Sequence, residues 1–295
     1  MSFNFTSIIQ YSLAMLCLAI GFQIAADPFA PAAEKNGSTA IAAESPSILA
    51  WAQGYENYFP GSHVDRQFQT PEKALFNAGN SNGNNVGYTY DIVSLGRGGS
   101  ITLLFDPPIR NDEGVDFAVF ENSFSDNFLE LAWVEVSSNG IDFFRFYNIS
   151  LTQSAVNSFG NIDPTNVTGL AGKYRRGFGT PFDLEQLTIT LSNLNNLDLN
   201  RISHVKIIDI VGDGSHYDSI TSGNGPNPIY DPYPTSGSAG FDLDAIAAFH
   251  VAETLHEENI PIPQLFLSLL SLLILFTYQL SRSFQSQKKY KPLEL

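Results

Sequence analysis

From Ser100 to Val251, short runs of β-branched and aromatic residues follow one another, each stopped by Gly, Pro, Asn or Asp. A run of this kind buries one face only by packing against another sheet, so the pattern demands an all-β architecture. Ser100 to Phe105 is a β-rich run stopped by Asp106-Pro107-Pro108. Val115 to Glu121 sets Val, Phe, Val against Asp, Ala, Phe. Ala132–Ser137 and Ile141–Phe146 flank Ser138-Asn139-Gly140, and Asn-Gly accepts the positive φ of a tight hairpin turn. Gln186–Leu191 alternates apolar with polar residues, His204–Val211 is a longer apolar strand, and Ala245–Val251 closes the series. At least seven strands with little helix between them indicate a β-sandwich or jelly roll. The one helical signal is Thr70 to Phe76, where an N-cap residue precedes a Pro at the first helical position. Asn77 to Gly87 is polar and rich in Gly and Asn, a loop.

The two ends follow a different pattern. Ser7 to Ala26 is an apolar stretch ending in small residues, as in a secretory signal peptide cleaved near Ala26-Asp27. An uncleaved N-terminal anchor is the alternative. Cys17, the only cysteine, lies inside this stretch, so no internal disulfide or cysteine zinc site is expected, and a chain that loses the stretch holds no cysteine at all. Leu265 to Leu280 is uncharged and apolar, and Arg282, Lys288, Lys289 and Lys291 follow it. A membrane-spanning helix with a cytoplasmic basic flank is the expectation. The organisation read from the sequence is a signal peptide (1–26), a linker (27–47), a β-sandwich ectodomain (48–256), a Pro-containing linker (257–263), a transmembrane helix (264–281) and a basic tail (282–295).

The formal net charge is −15, which argues against nucleic acid as a partner, because neutralising phosphates needs a basic face. Hydrophobic residues make up 43% of the chain, enough for a sizeable core.

Ile260-Pro261-Ile262-Pro263, the apolar run and the basic residues after it together resemble the PEP-CTERM sorting signal of Gram-negative bacteria. That resemblance implies an exosortase-type sorting enzyme as a partner. Ile262 stands where the motif has Glu, and the basic residues are spread over a longer tail. A second resemblance covers most of 90–250. It is carried by segments such as Ser94 to Ile101, Phe117 to Asn122, Val134 to Gly140, Gly169 to Arg175, Gly179 to Leu184, Asn227 to Pro234 and Gly240 to Ile246. These are similar to a bacterial family of secreted or cell-surface β-sandwich proteins. Phe241-Asp242-Leu243-Asp244-Ala245-Ile246 also resembles the final strand of galactose-binding-like jelly rolls, found in carbohydrate-binding modules.

Four groups of residues carry candidate chemistry. Lys173, Tyr174, Arg175 and Arg176 put three of the few basic residues beside aromatics, and Tyr217, Tyr230 and Tyr233 punctuate a long Gly/Pro/Asn loop. Aromatic faces with polar hydrogen-bonders suit sugars, and the alternative is a set of structural ion pairs and a rigid loop. Asp209, Asp213, Asp218, Asp242 and Asp244 cluster around glycines or begin the last strand, where Asp242 and Asp244 share a face. Either they hold a structural Ca²⁺, or they cap turns. Glu121, Glu130 and Glu135 lie near strands, as the paired carboxylates of a glycosidase would. The five histidines show no metalloprotease spacing, and Gly79-Asn80-Ser81-Asn82-Gly83 lacks the flanking elements of a nucleophile elbow. Gly96-Arg97-Gly98-Gly99 precedes a strand rather than a helix, and so reads as a turn or bulge. The sequence thus points to an exported, membrane-anchored domain on the outer side of the membrane, with non-enzymatic binding of an extracellular glycan as its role. A structural surface component and a glycoside-processing enzyme are the alternatives.

Overall fold

The computed structural model describes residues 28–79, 91–221, 223, 225–253 and 275–278. The chain divides into two units, Met1–Glu253 and Thr254–Leu295. In the second unit only residues 275–278 are described, as one helical turn. The signal segment, Cys17, the 257–263 linker, the sorting motif, the basic tail and residues 80–83 of the elbow-like pattern lie outside the described residues. The apolar segment 264–281 does too, apart from that turn. Among the described residues no helix is long and apolar enough to cross a membrane.

The first unit is all-β. Its strands are β1 (Ile41–Ala42), β2 (Ala50–Trp51), β3 (Gly54–Phe59), β4 (Val93–Ser94) and β5 (Ser100–Ile109). Then follow β6 (Phe117–Glu121), β7 (Ala132–Ser137), β8 (Phe144–Arg145), β9 (Ile149–Ser150), β10 (Val167–Thr168) and β11 (Phe178–Phe182). A short helix, α1 (Glu185–Thr190), precedes β12 (Ile202–Asp209), β13 (Asp213–Tyr217), β14 (Pro228–Tyr230) and β15 (Asp242–Ala248). One antiparallel sheet runs β1-β11-β6-β15-β2, with β4 also on β15; the other runs β3-β5-β12-β7-β8. Two ribbons, β9 with β10 and β13 with β14, complete the pairing.

The period-two alternation explains how the sheets share a core. Ile101, Leu103 and Phe105 of β5, Val134 and Val136 of β7, and Val205 and Ile207 of β12 meet Phe117 and Val119 of β6 and Phe182 of β11. The arrangement is sandwich-like. Phe117 stacks on Phe182 at 5.2 Å, and Phe146 meets both edge-on. The opposite face of β6 and β15, bearing Ala118, Phe120, Ala245 and Ala247, packs against Ile41, Ala43, Ile48 and Trp51. Residues 28–47 are therefore no linker. Ala32 and Ala33 are buried, and β1 extends the first sheet. The Ala/Pro/Ser composition that suggests a tether also suits a close-fitting cover, and contact with the outer face of the sheet decides between them.

Three further expectations are corrected. Gln186–Leu191 belongs to a helix, not a strand. Leu184 and Leu187 are buried in the core and Leu191 packs on it, at i, i+3 and i+7, while Ile189 is left exposed. Asp183 Oδ1 accepts the Glu185 N–H, which starts the turn. Of Ile141–Phe146 only Phe144–Arg145 is strand, because Asn139 Oδ1 accepts the N–H groups of Ile141 and Asp142 and prolongs the turn. β5 does not stop at Asp106. It continues through Pro107-Pro108 to Ile109, and its ladder with β12 is irregular over this stretch, where the missing proline N–H groups are tolerated. The Thr70–Phe76 signal yields a single 3₁₀ turn, Pro71–Ala74. The turn reading of Gly96–Gly99 agrees with the positive φ of Gly96 and Gly98 between β4 and β5.

Candidate functional site

The residues expected to bind ligand lie on two different supports. Lys173 is only 4% exposed, and its Nζ donates to the carbonyls of Pro164 (2.9 Å) and Val167 (2.5 Å). Burial lowers its pKa to about 8. Tyr174 is 1% exposed and shares a hydrogen bond with Thr39 Oγ1 at 2.8 Å, so its ring face is closed to a ligand. The segment that reads as a linker is what covers it. Arg175 pairs with Glu34 and Asp126 and lies over the Phe178 ring. The backbone N–H of Arg176 donates to the Ser123 carbonyl. The ion-pair alternative thus describes Arg175, while Lys173 is held by backbone carbonyls. Replacing Lys173 by Met strands two buried carbonyls, and is expected to cost roughly 2 kcal/mol in urea denaturation. A chain of unchanged midpoint contradicts the structural role.

Tyr217, Tyr230 and Tyr233 belong to the β13–β14 region. Tyr217 is exposed on β13 in register with Pro228 of β14, and Tyr230 is in register with Asp213. Tyr233 receives the Arg97 guanidinium over its ring at 5.1 Å.

The five aspartates do not converge. Among the described residues no group of three His, Cys, Asp or Glu side chains is placed to hold a metal ion. Four of the five instead fasten backbone, and Asp242 holds a serine hydroxyl. Asp209 accepts from Gly98 N and Phe241 N, Asp213 from Ser215 N, and Asp244 from Gly79 N. Asp242 accepts from Ser94 Oγ at 2.5 Å. Asp242 and Asp244 also escape strand alternation. Leu243 pairs with Glu121 and Ala245 with Phe120, so Asp244 is the extra residue of a β-bulge. This geometry lends the calcium expectation no support.

Asp218 has a more specific task. Its two carboxylate oxygens accept from Ser150 N, Ile220 N, Asn227 N and Asn227 Nδ2, drawing β9 and the start of β14 together. These two segments, with 151–153 and 161–166, enclose a cleft of about 700 Å³. Its polar lining is Ser150, Thr152, Gln153, Asn161, Asp163, Asn166 and Asn227, with no Lys, Arg or His. Asp163 is engaged locally, accepting from the Thr165 N–H and hydroxyl. Ser150 Oγ and Thr152 Oγ1 are buried with no hydrogen-bond partner, an unusual state for a hydroxyl. The cleft can therefore accept and donate hydrogen bonds without a strong charge preference. Asn227 lies in the long loop singled out from the sequence, but Ser150 to Asn166 does not. The available signal there is an Asn/Ser/Thr/Gln-rich stretch with no helical or strand period, which by itself reads as ordinary loop.

Of the three glutamates, Glu121 and Glu130 line one pocket, while Glu135 lies on β7 bonded to Arg145 and near Lys206. Among the described histidines, His250 pairs with Asp116, His216 packs edge-on against Trp133 and His204 lies edge-on to Phe143, while His256 lies outside the described residues. No protein-family model matches the chain, and no curated protein is similar enough to count as a relative.

Proposed function

We propose that this chain is an exported cell-surface protein, anchored by its C-terminal apolar segment, whose β domain binds a neutral glycan without turning it over. The carrying observation is a polar cleft of about 700 Å³, whose walls are mainly the amides of Gln153, Asn161, Asn166 and Asn227, with no Lys, Arg or His. Sugar hydroxyls offer both the donors and the acceptors that such amides pair with. Exposed Tyr217, in register with Pro228 of the cleft wall, supplies an aromatic face close by. The apolar segment ending at Ala26 and the one from Leu265 to Leu280 support export and tethering. The likeness of the β15 segment to galactose-binding-like jelly rolls, and of residues 90–250 to secreted surface proteins, supports the same assignment.

The test is calorimetric titration of the full-length chain with a series of neutral oligosaccharides. Binding is expected, and Gln153→Ala or Asn161→Ala is expected to weaken it about tenfold, the scale of one or two lost hydrogen bonds. Neutral glycans that fail to bind, or that bind both variants as tightly as the parent, would refute the assignment.

A further inference from the structure

A second pocket, independent of the glycan cleft, is built at the end of the first sheet where β6 stops and β15 begins. It holds about 570 Å³ and is walled by segments 65–68, 121–130 and 234–238 together with Asp242. Four carboxylates line it, from Asp65, Glu121, Glu130 and Asp242, and no Lys, Arg or His does. Glu121, Glu130 and Asp242 are 2%, 5% and 7% exposed. Glu121 Oε2 accepts the Ser123 N–H and Asp242 Oδ1 the Ser94 hydroxyl. Glu130 Oε1 is buried with no partner at all. A buried carboxylate without a donor is costly, and one facing two other acids more so.

At the same pocket stands a row of phenylalanines. Phe124 stacks on Phe128 at 4.4 Å, and Phe128 on Phe159 at 6.3 Å. Phe124 and Phe159 remain 58% and 83% exposed. Their loop is held in place, since Ser123 Oγ donates to the carbonyls of Phe128 and Ser125, and Ser125 Oγ accepts the Phe128 N–H.

We propose that this pocket binds an organic ammonium, with the cationic head against Glu130 and its apolar body on the Phe124–Phe128–Phe159 row. The missing partner at Glu130 and the absence of any basic lining residue call for a cation. The aromatic row selects one with an organic body, because ring faces attract ammonium groups and exclude strongly hydrated ions. A hard divalent metal would need several converging oxygen ligands, and no three acidic or His/Cys groups here are arranged for one. Burial and repulsion from Asp242 and Glu121 raise the Glu130 pKa well above the ordinary carboxylate value, and a bound ammonium would relieve both effects.

The experiment is titration of the full-length chain at pH 8 with choline and with phenethylammonium. The uncharged choline isostere 3,3-dimethylbutanol and calcium chloride run in parallel. Both ammonium compounds are expected to bind, with the isostere about tenfold weaker or more. Glu130→Gln should weaken choline at least tenfold, and Phe159→Ala, a change at an exposed ring that leaves folding intact, several-fold. Equal affinity for the isostere overturns the proposal. So does no heat with either ammonium at millimolar concentration, calcium binding that Glu130→Gln abolishes, or Glu130-dependent hydrolysis of chromogenic glycosides. None of these results bears on neutral-glycan binding in the cleft of Ser150 and Asn227, whose variants lie elsewhere.

Discussion

Raising the pH from 5 to 8 is expected to lower the melting temperature of the first unit by roughly 6–12 °C. The cause is a set of buried acids. Asp209, Asp242 and Asp244 are all pushed up to about 7, first of all by burial. Backbone donors oppose this at Asp209 and Asp244, as do Ser94 and Ser238 at Asp242. Glu121, Glu130 and Asp231 lie well above the usual range for the same reason, with repulsion from neighbouring acids added. The Arg97 guanidinium also opposes the shift at Asp209. Between the unfolded value of 3.8 and about 7, such a group is protonated in the folded chain and ionised in the unfolded one. The folded state binds more protons, so stability falls as pH rises through that window. One carboxylate of this kind accounts for roughly 3 kcal/mol between pH 5 and 8. Lys173, lowered to about 8, titrates at and above the top of this window. Differential scanning calorimetry across the pH range is the measurement. Asp244→Asn keeps an acceptor for the Gly79 N–H and removes one titration, so its pH dependence should be shallower. A melting temperature that rises towards pH 8 would show that these carboxylates are ionised in the fold.

Gly212→Ala is expected to cost about 3 kcal/mol or more in urea denaturation, while Gly114→Ala costs about 1 kcal/mol. Both glycines hold a positive φ, +77° and +93°, which L side chains rarely adopt. They differ in what surrounds them. A Cβ on Gly212 would lie 1.7 Å from Asp231 Oδ1, whereas nothing lies within 4 Å of one on Gly114. Asp231 cannot retreat, since it is buried and its Oδ2 accepts the Leu131 N–H at 2.9 Å. Its own N–H donates to the Gly212 carbonyl. The difference between the two variants isolates the clash from the backbone strain. Equal losses would mean that Asp231 moves aside freely and does not clamp the β14 region to the start of β7.

Sequence reasoning found the strands that carry a clean two-residue period, because that period follows from backbone geometry alone. β7 falls on Ala132–Ser137 as expected, and the Asn139-Gly140 turn joins it to β8. The reasoning failed where two periods coexist, as at Leu184, Leu187 and Leu191, and where a strand has two residues and no period at all, as in β1, β2, β9 and β10. It also misplaced the chemistry. Lys173 and Tyr174 carry the composition of a binding loop, yet they are interior because residues 28–47 fold over the sheet. Asp242 and Asp244 would share a face only in a regularly alternating strand, and the bulge at Asp244 breaks that alternation.

What the sequence determined by itself is local: the β-rich runs, the turn marked by Asn-Gly, the excess of acid over base and the apolar segments at both ends. What the tertiary structure decided is burial and convergence. Asp242 is far along the chain from Glu121 and Glu130, and no pattern in the sequence marks it as their neighbour. They share a pocket because β6 and β15 pair antiparallel, which brings the end of one strand to the start of the other. Strand register is a property of pairs, set by which faces find a core to bury, and one strand cannot encode it alone.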